Sequence, residues 1–251
     1  MTRRRFFAPP EAFDFRTQRV SLATDEARHL REVLRLKIGD RVQVFDGQGH
    51  EYSALVEKAM RDAAVLQITD TVQPASPESP LELTLALALL KGDKFDLVVQ
   101  KATELGVSKL VPVKTKFADV RLRDDSDAAK RVARWERIAL EAAKQSGRAV
   151  LPHIIAPTEF ASVITGAPDS AGLRVMFAER GGVSLAELPS NIARQTVVAL
   201  VGSEGGWSDE EIDLGREKGW KIVTLGGRIL RAETAAITIV TLMQHLYGDL
   251  R

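Results

Sequence analysis

The chain has 251 residues, 45% of them hydrophobic, enough apolar material for one large core or two ordinary ones. It contains no cysteine, which excludes disulfides, thiolate metal sites and cysteine nucleophiles, and its 4 histidines are scattered without metal-ligand spacing. A formal net charge of +1 excludes a uniformly basic nucleic-acid binder, although Lys91 to Val150 carries a local basic excess.

From the start, Met1-Thr2-Arg3-Arg4-Arg5-Phe6-Phe7 runs into prolines and not into an apolar leader, and the longest apolar run, near Leu83 to Leu90, is too short for a bilayer. A soluble cytoplasmic protein is the expectation. Arg3, Arg4 and Arg5 can pair phosphates while Phe6 and Phe7 stack bases; a tail anchored by the two phenylalanines is the competing reading. Residues 1–72 otherwise read as a small β-rich unit. Thr24 caps a predicted helix running through Lys37, with Leu30, Val33 and Leu34 facing inward and Gly39 beyond its end. Alternating strands are predicted at Arg41 to Phe45, Glu51 to Lys58 and Ala63 to Thr69, with a turn signal at Asp46-Gly47. Such a hairpin-built sheet is expected to form a small barrel.

Pro74, Pro77 and Pro80, with Ser76 and Ser79, mark residues 73–80 as a linker. From Leu81 the pattern changes to β/α alternation. Strands are predicted at Leu81 to Leu90, Val107 to Val113, Val150 to Ile155 and Leu173 to Ala178. Helices are predicted at Asp93 to Leu105, about Ser126 to Ser146, and Thr158 to Ile164. The fold class is α/β with a parallel sheet.

Two strand-to-helix joints stand out. Val197 to Val201 reads as a buried strand running into Gly202-Ser203-Glu204-Gly205-Gly206-Trp207, and Ser208-Asp209-Glu210-Glu211 has the form of a capping box opening a helix. Lys221 to Leu225 reads as a second strand, followed by Gly226-Gly227-Arg228-Ile229-Leu230-Arg231 and a helix with Glu233 in its first turn. Glycines at the carboxyl ends of strands let backbone approach a ligand, so both loops are expected to line one pocket. Their backbone with apolar Leu225, Ile229 and Leu230 suits an adenosine-containing ligand better than a polyphosphate. Signatures of phosphate loops, dinucleotide-binding first β/α units, nucleophile elbows and zinc proteases are missing from the sequence.

The two segments Gly202-Ser203-Glu204-Gly205-Gly206-Trp207 and Leu225-Gly226-Gly227-Arg228-Ile229-Leu230-Arg231-Ala232-Glu233-Thr234-Ala235 carry a family resemblance. So do Arg28-His29-Leu30, Val33-Leu34-Arg35, Lys101 to Val107, and Gln145-Ser146-Gly147-Arg148. With them the chain resembles the SPOUT (trefoil-knotted) methyltransferases, and among these the RsmE-type enzymes that methylate N3 of a uridine in small-subunit ribosomal RNA. Two positions depart, since the family usually has Pro where Ser203 and Gly227 stand; both replacements still permit a tight turn.

The resemblance implies a PUA-like RNA-binding barrel over residues 1–72 and a knotted SPOUT domain over residues 81–251. It implies S-adenosylmethionine as cofactor, held by Leu200, Gly202, Glu204, Gly205, Gly206, Leu225, Gly226, Ile229, Leu230 and Ala235. Ribosomal RNA is the implied partner, with Arg3, Arg4, Arg5, Arg28, Arg35, Gln145 and Arg148 as candidate RNA contacts. The final predicted helix, Glu233 to Tyr247, carries more apolar residues than a half-exposed helix needs, and the resemblance favours a homodimer interface there. Uridine N3 must lose a weakly acidic proton, and Arg231 and Arg228 are candidates to stabilise the resulting charge, Glu204 and Glu233 to take the proton. Methylation of a ribose 2′-OH or another base, and a noncatalytic RNA-binding role, stay open.

Overall fold

The computed structural model describes residues 4–166, 172–192 and 194–250. They form two compact units, one taking the chain up to Glu78 together with Leu140–Leu151, the other taking Ser79–Ala139 and the chain from Pro152 onward.

The first unit is a six-stranded mixed sheet of β1 (Arg5–Phe7), β2 (Phe13–Asp14), β3 (Arg19–Leu22), β4 (Arg41–Phe45), β5 (Glu51–Ala59) and β6 (Ala64–Val72), in the order β1-β4-β5-β6-β3-β2. Alternate residues point inward, so Val42 and Val44, Ala54 and Val56, and Leu66 and Ile68 close one core with Phe6, Val20, Leu22 and Leu30. The predicted helix over 24–37 is shorter and irregular. α1 (Thr24–Arg28) begins after Ala23, and Thr24 Oγ1 donates to Asp62 O instead of capping. His29–Val33 then forms a π-helical turn, closed by Leu34 N donating to His29 O at 3.0 Å, and Arg35 ends it with φ 53°. The wider turn rotates the following residues, which leaves Val33 64% exposed where the periodicity placed it inward.

The chain before Ser79 belongs to this unit. Ala75 N donates to Glu51 Oε2 at 3.2 Å and Ser76 N to Gly147 O at 3.0 Å. Arg5 and Glu51 form a buried ion pair whose side chains are 1% and 0% exposed, with Arg5 Nε 2.9 Å from Glu51 Oε1. Further Arg5 hydrogen bonds reach Ala143 O at 2.9 Å and Arg148 O at 2.8 Å.

The second unit alternates strand and helix through β7 (Glu82–Ala88), α2 (Lys94–Glu104), β8 (Lys109–Lys114), α3 (Asp125–Ser146, whose last turns belong to the first unit), β9 (His153–Ile154), β10 (Thr158–Glu159), α4 (Phe160–Gly166), β11 (Leu173–Phe177), β12 (Thr196–Val201), α5 (Asp209–Glu217), β13 (Lys221–Val223) and α6 (Ala232–Tyr247). All seven strands are parallel, in the order β10-β8-β7-β12-β11-β13 with β9 also beside β8. Period-two alternation gives two cores. Leu83, Leu85, Leu87, Val197, Ala199 and Phe177 face α2, α3 and α6; Ala86, Leu200, Met176 and Ile222 face α4 and α5 with Trp207 and Trp220. Burial on both faces explains why these strands read as near-continuous apolar runs. Among the described residues no helix is long and apolar enough to cross a membrane.

Candidate functional site

Because β12, β11 and β13 are parallel neighbours, their carboxyl ends fall on one edge of the sheet. There the segments following them enclose a cavity of about 620 Å³, within the usual size of a small-molecule site. The first glycine loop is tied down by Trp207, whose Nε1 donates to Phe177 O at 2.8 Å beneath it. Immediately beyond, the capping box is complete: Ser208 Oγ accepts from Glu211 N at 3.3 Å and Glu211 Oε2 accepts from Ser208 N at 2.9 Å. In the second loop Gly226 and Gly227 have φ of +64° and +77°, and a Cβ at either would meet nothing within 4 Å. Conformation selects glycine there. At Gly205 the reason differs, since an added Cβ would lie 2.7 Å from Phe117 Cβ and 2.9 Å from Phe117 O. Crowding by a neighbouring segment by itself requires that glycine, which also lines the cavity.

Of the expected cofactor residues, Gly202, Glu204, Gly205, Gly206, Leu225, Gly226, Ile229, Leu230 and Ala235 line the cavity. Leu200 does not. Strand alternation turns its side chain into the opposite core, against Phe160, Trp207 and Ile212, and it is Val201 that reaches the cavity. Ile229 lines the mouth with 96% of its surface exposed, so it offers an apolar edge and not an enclosed wall.

The charged residues divide into two groups. Arg228 and Arg231 line the cavity, are exposed, and have no hydrogen-bond or salt-bridge partner for their guanidinium groups among the described residues. Arg231 is the N-cap residue of α6. Glu204 also lines the cavity but is engaged by Lys94 Nζ at 2.7 Å. Lys94 lies 3.9 Å from Glu233 Oε2, a buried oxygen with no hydrogen bond among the described residues, and Glu233 is outside the cavity lining. Burial works to raise the Glu204 carboxyl, but the hydrogen bond from Lys94 and the Glu204 backbone N–H outweigh it, and its pKa is lowered. The Lys94 ammonium is raised in turn, chiefly by its hydrogen bond to Glu204.

Lys94 escaped sequence analysis, although a cation in the first turn of a helix runs against the helix dipole and is a signal for a nearby carboxylate. Glu179, at the end of β11, was also missed; it is a carboxylate in the cavity wall beside Gly206.

Two expected RNA contacts are corrected. Arg5 is the buried partner of Glu51, with its guanidinium 4.0 Å from the centre of the Phe45 ring, and Phe6 and Phe7 are core residues of the barrel or pack on Phe45. Arg148 is 4% exposed and pairs with Glu78 at 2.7 Å. Both cations have been taken by acids distant in sequence, which no local pattern reports. Arg4, Arg28, Arg35 and Gln145 are exposed, with Arg4 3.6 Å from Asp40 and Arg28 3.0 Å from Glu32. Arg3 lies outside the described residues.

Residues 77–244 match the family described as RNA methyltransferase domain, and residues 22–69 the family described as RNA methyltransferase PUA domain. The chain is 37% identical to the ribosomal RNA small subunit methyltransferase E of Synechocystis sp. over 86% of this chain and 69% of that protein. It belongs to the ribosomal RNA small subunit methyltransferase E family. The Rickettsia conorii member is 30% identical over 91% of this chain and 90% of its own length. A crystal structure of the Neisseria gonorrhoeae member bound to S-adenosyl methionine has a TM-score of 0.88 at 32% identity, covering 99% of this chain and 100% of that one. Membership accounts for both units: the first is the PUA-like half-barrel and the second the SPOUT-type α/β domain of the family.

Proposed function

We propose that the chain is an S-adenosylmethionine-dependent methyltransferase acting on N3 of a uridine in small-subunit ribosomal RNA. The observation that carries the reading is a pair of unpartnered guanidinium groups, Arg228 and Arg231, at the rim of a glycine-lined cavity in a member of this family.

The residues present fit the cofactor. Leu225, Leu230, Ala235 and Ile239 offer apolar surface to an adenine, Glu179 and Glu204 offer carboxylates, and Ser203 Oγ is buried in the lining with no hydrogen-bond partner among the described residues. S-adenosylmethionine supplies an electrophilic methyl group. This chain's part is to hold the uracil in line and to favour loss of the N3 proton. Arg231 suits the second task in this reading, since its carbonyl accepts from Ala235 N at 2.8 Å while its guanidinium has no partner among the described residues and can donate to a uracil oxygen. Charge grows on that oxygen as N3 deprotonates, so the interaction is stronger in the transition state than in the ground state. Glu204, held low and engaged by Lys94, is a weak base, which favours charge stabilisation over proton abstraction by this carboxylate.

In the same reading the barrel supplies RNA affinity through Arg4, Arg28, Arg35 and Gln145, all exposed. Leu246, 40% exposed on α6, and partly buried Leu242 support a homodimer. The test is single-turnover methylation of unmodified small ribosomal subunits, with nucleosides identified by mass spectrometry. Arg231→Ala is expected to lose about 10²–10³ in rate at unchanged cofactor affinity. An unchanged rate, or a defect wholly explained by weaker cofactor binding, refutes its role; a product other than N3-methyluridine refutes the assignment of the reaction.

A further inference from the structure

The segment between β8 and α3 presents a side chain that folding leaves unused. Phe117 keeps 45% of its surface exposed, while Trp135, Phe160, Trp207 and Trp220 of the same unit are buried. Its setting is fixed. Lys116 N donates at 3.0 Å to Glu211 Oε1, and the other oxygen of that carboxylate takes Ser208 N at 2.9 Å, so the start of α5 clamps the segment. On the other side the backbone of Phe117 abuts Gly205, where an added Cβ would come within 2.9 Å of its carbonyl oxygen. Gly205 lines the cavity, so the Phe117 backbone and Cβ, from which the ring extends, lie against a residue of the cavity wall.

The segment carrying this ring also carries cations. Lys116 Nζ is 5.7 Å from the ring centre and paired with Glu210 at 3.2 Å, while Arg121 and Arg123, farther along the segment, are exposed with no hydrogen-bond or salt-bridge partner among the described residues. Of the acids on the segment, Asp119 is paired with Lys91 at 2.7 Å and Asp124 accepts from Asp127 N at 2.8 Å.

A base that is to be modified must leave its stack, and the flip is favoured where the protein offers a new π surface. An exposed aromatic ring on a segment that also carries exposed arginines is what stacking of an unpaired base with phosphate contacts requires. We propose that Phe117 is a stacking platform for an unpaired base of the substrate RNA beside the cofactor cavity, with Arg121 and Arg123 on the flanking phosphates. This inference deepens the methyltransferase reading and rests on it for the identity of the RNA.

The test uses the full chain and a short fluorescein-labelled oligouridylate, with binding followed by anisotropy in the absence of cofactor. Phe117→Ala is expected to weaken binding about 10- to 100-fold, the range of one lost base stack. Phe117→Tyr keeps a π face and is expected to bind as the wild type does, whereas Phe117→Leu keeps apolar bulk alone and is expected to fail like alanine. Changing Arg121 and Arg123 together to Gln is expected to lower the salt dependence by about two units of slope. With unmodified small subunits, Phe117→Ala is expected to raise KM more than it lowers kcat, and cofactor affinity by calorimetry to stay unchanged. Wild-type binding by Phe117→Leu, or an unchanged KM for Phe117→Ala, overturns the platform. Phe117-dependent RNA binding by a wild-type protein that transfers no methyl group keeps the platform and overturns the methyltransferase reading.

Discussion

Replacing Gly205 by alanine separates two reasons for a glycine at a cofactor loop. Its φ lies outside the left-handed region, so alanine is conformationally acceptable there and the penalty is steric. The new Cβ would lie 2.7 Å from Phe117 Cβ and 2.9 Å from Phe117 O, atoms that cannot swing aside as the end of a flexible side chain can. Either the glycine loop or the clamped segment at Lys116 to Ala118 must move, and overpacking of this kind costs about 1–3 kcal/mol. For a domain of this size a cost of about 2 kcal/mol lowers the melting midpoint by about 4–8 °C. Gly226→Ala is the control. Its φ of +64° charges alanine with about 1–2 kcal/mol of backbone strain although the space around it is open. Thermal denaturation, with calorimetric titration of S-adenosylmethionine, compares the two. Gly205→Ala is expected to lose stability and RNA affinity together because Phe117 shifts, and Gly226→Ala to lose stability with RNA affinity retained. A Gly205→Ala protein with wild-type midpoint and wild-type RNA affinity refutes the reasoning.

Arg5→Met leaves the Glu51 carboxylate buried without its cation, which is expected to cost about 3–5 kcal/mol in chemical denaturation of the first unit, while Arg4→Met, at an exposed pair, stays near wild type. Arg4, Arg28 and Arg35 changed singly to Gln are each expected to reduce the slope of log affinity against log salt by about one, measured by RNA anisotropy; an equal loss of slope for Arg148→Gln would show that its buried pair with Glu78 opens on RNA. The Lys94–Glu204 pair predicts a pH window. Glu204 is lowered, so its contribution is present above the ordinary glutamate range and lost as pH falls through the lowered value; Lys94 is raised, so its contribution is present below the ordinary lysine range and lost as pH rises through the raised value. Stability curves across pH are expected to flatten at both ends in Lys94→Met, and carboxyl NMR to show Glu204 titrating higher; an unmoved Glu204 titration refutes the pairing.

The two glycine loops were legible because each statement about them is local. An apolar run, a glycine, and Ser208 three residues before Glu211 specify strand, turn and helix start through contacts within a few residues. Parallel β/α order was legible for the same reason, and it implies that strand ends collect on one edge. The helix predicted over 24–37 failed at a π-helical turn, where one added residue per turn leaves the hydrophobic period almost unaltered but redirects Val33.

Residue chemistry and short-range spacing thus determined the β/α elements, the two loops, and the expectation that they share a ligand. The tertiary structure alone decided which charges remain available. Arg5 and Arg148 look like phosphate contacts until Glu51 and Glu78, 46 and 70 residues away, take them up. Lys94 looks like a solvated helix residue until Glu204, 110 residues on, accepts its hydrogen bond. Gly205 looks like a glycine required only by a ligand until Phe117 is found packed against it. A side chain's partner depends on where folding returns a distant part of the chain, and an ion pair or steric contact acts over a few ångströms without leaving any periodic trace in the sequence.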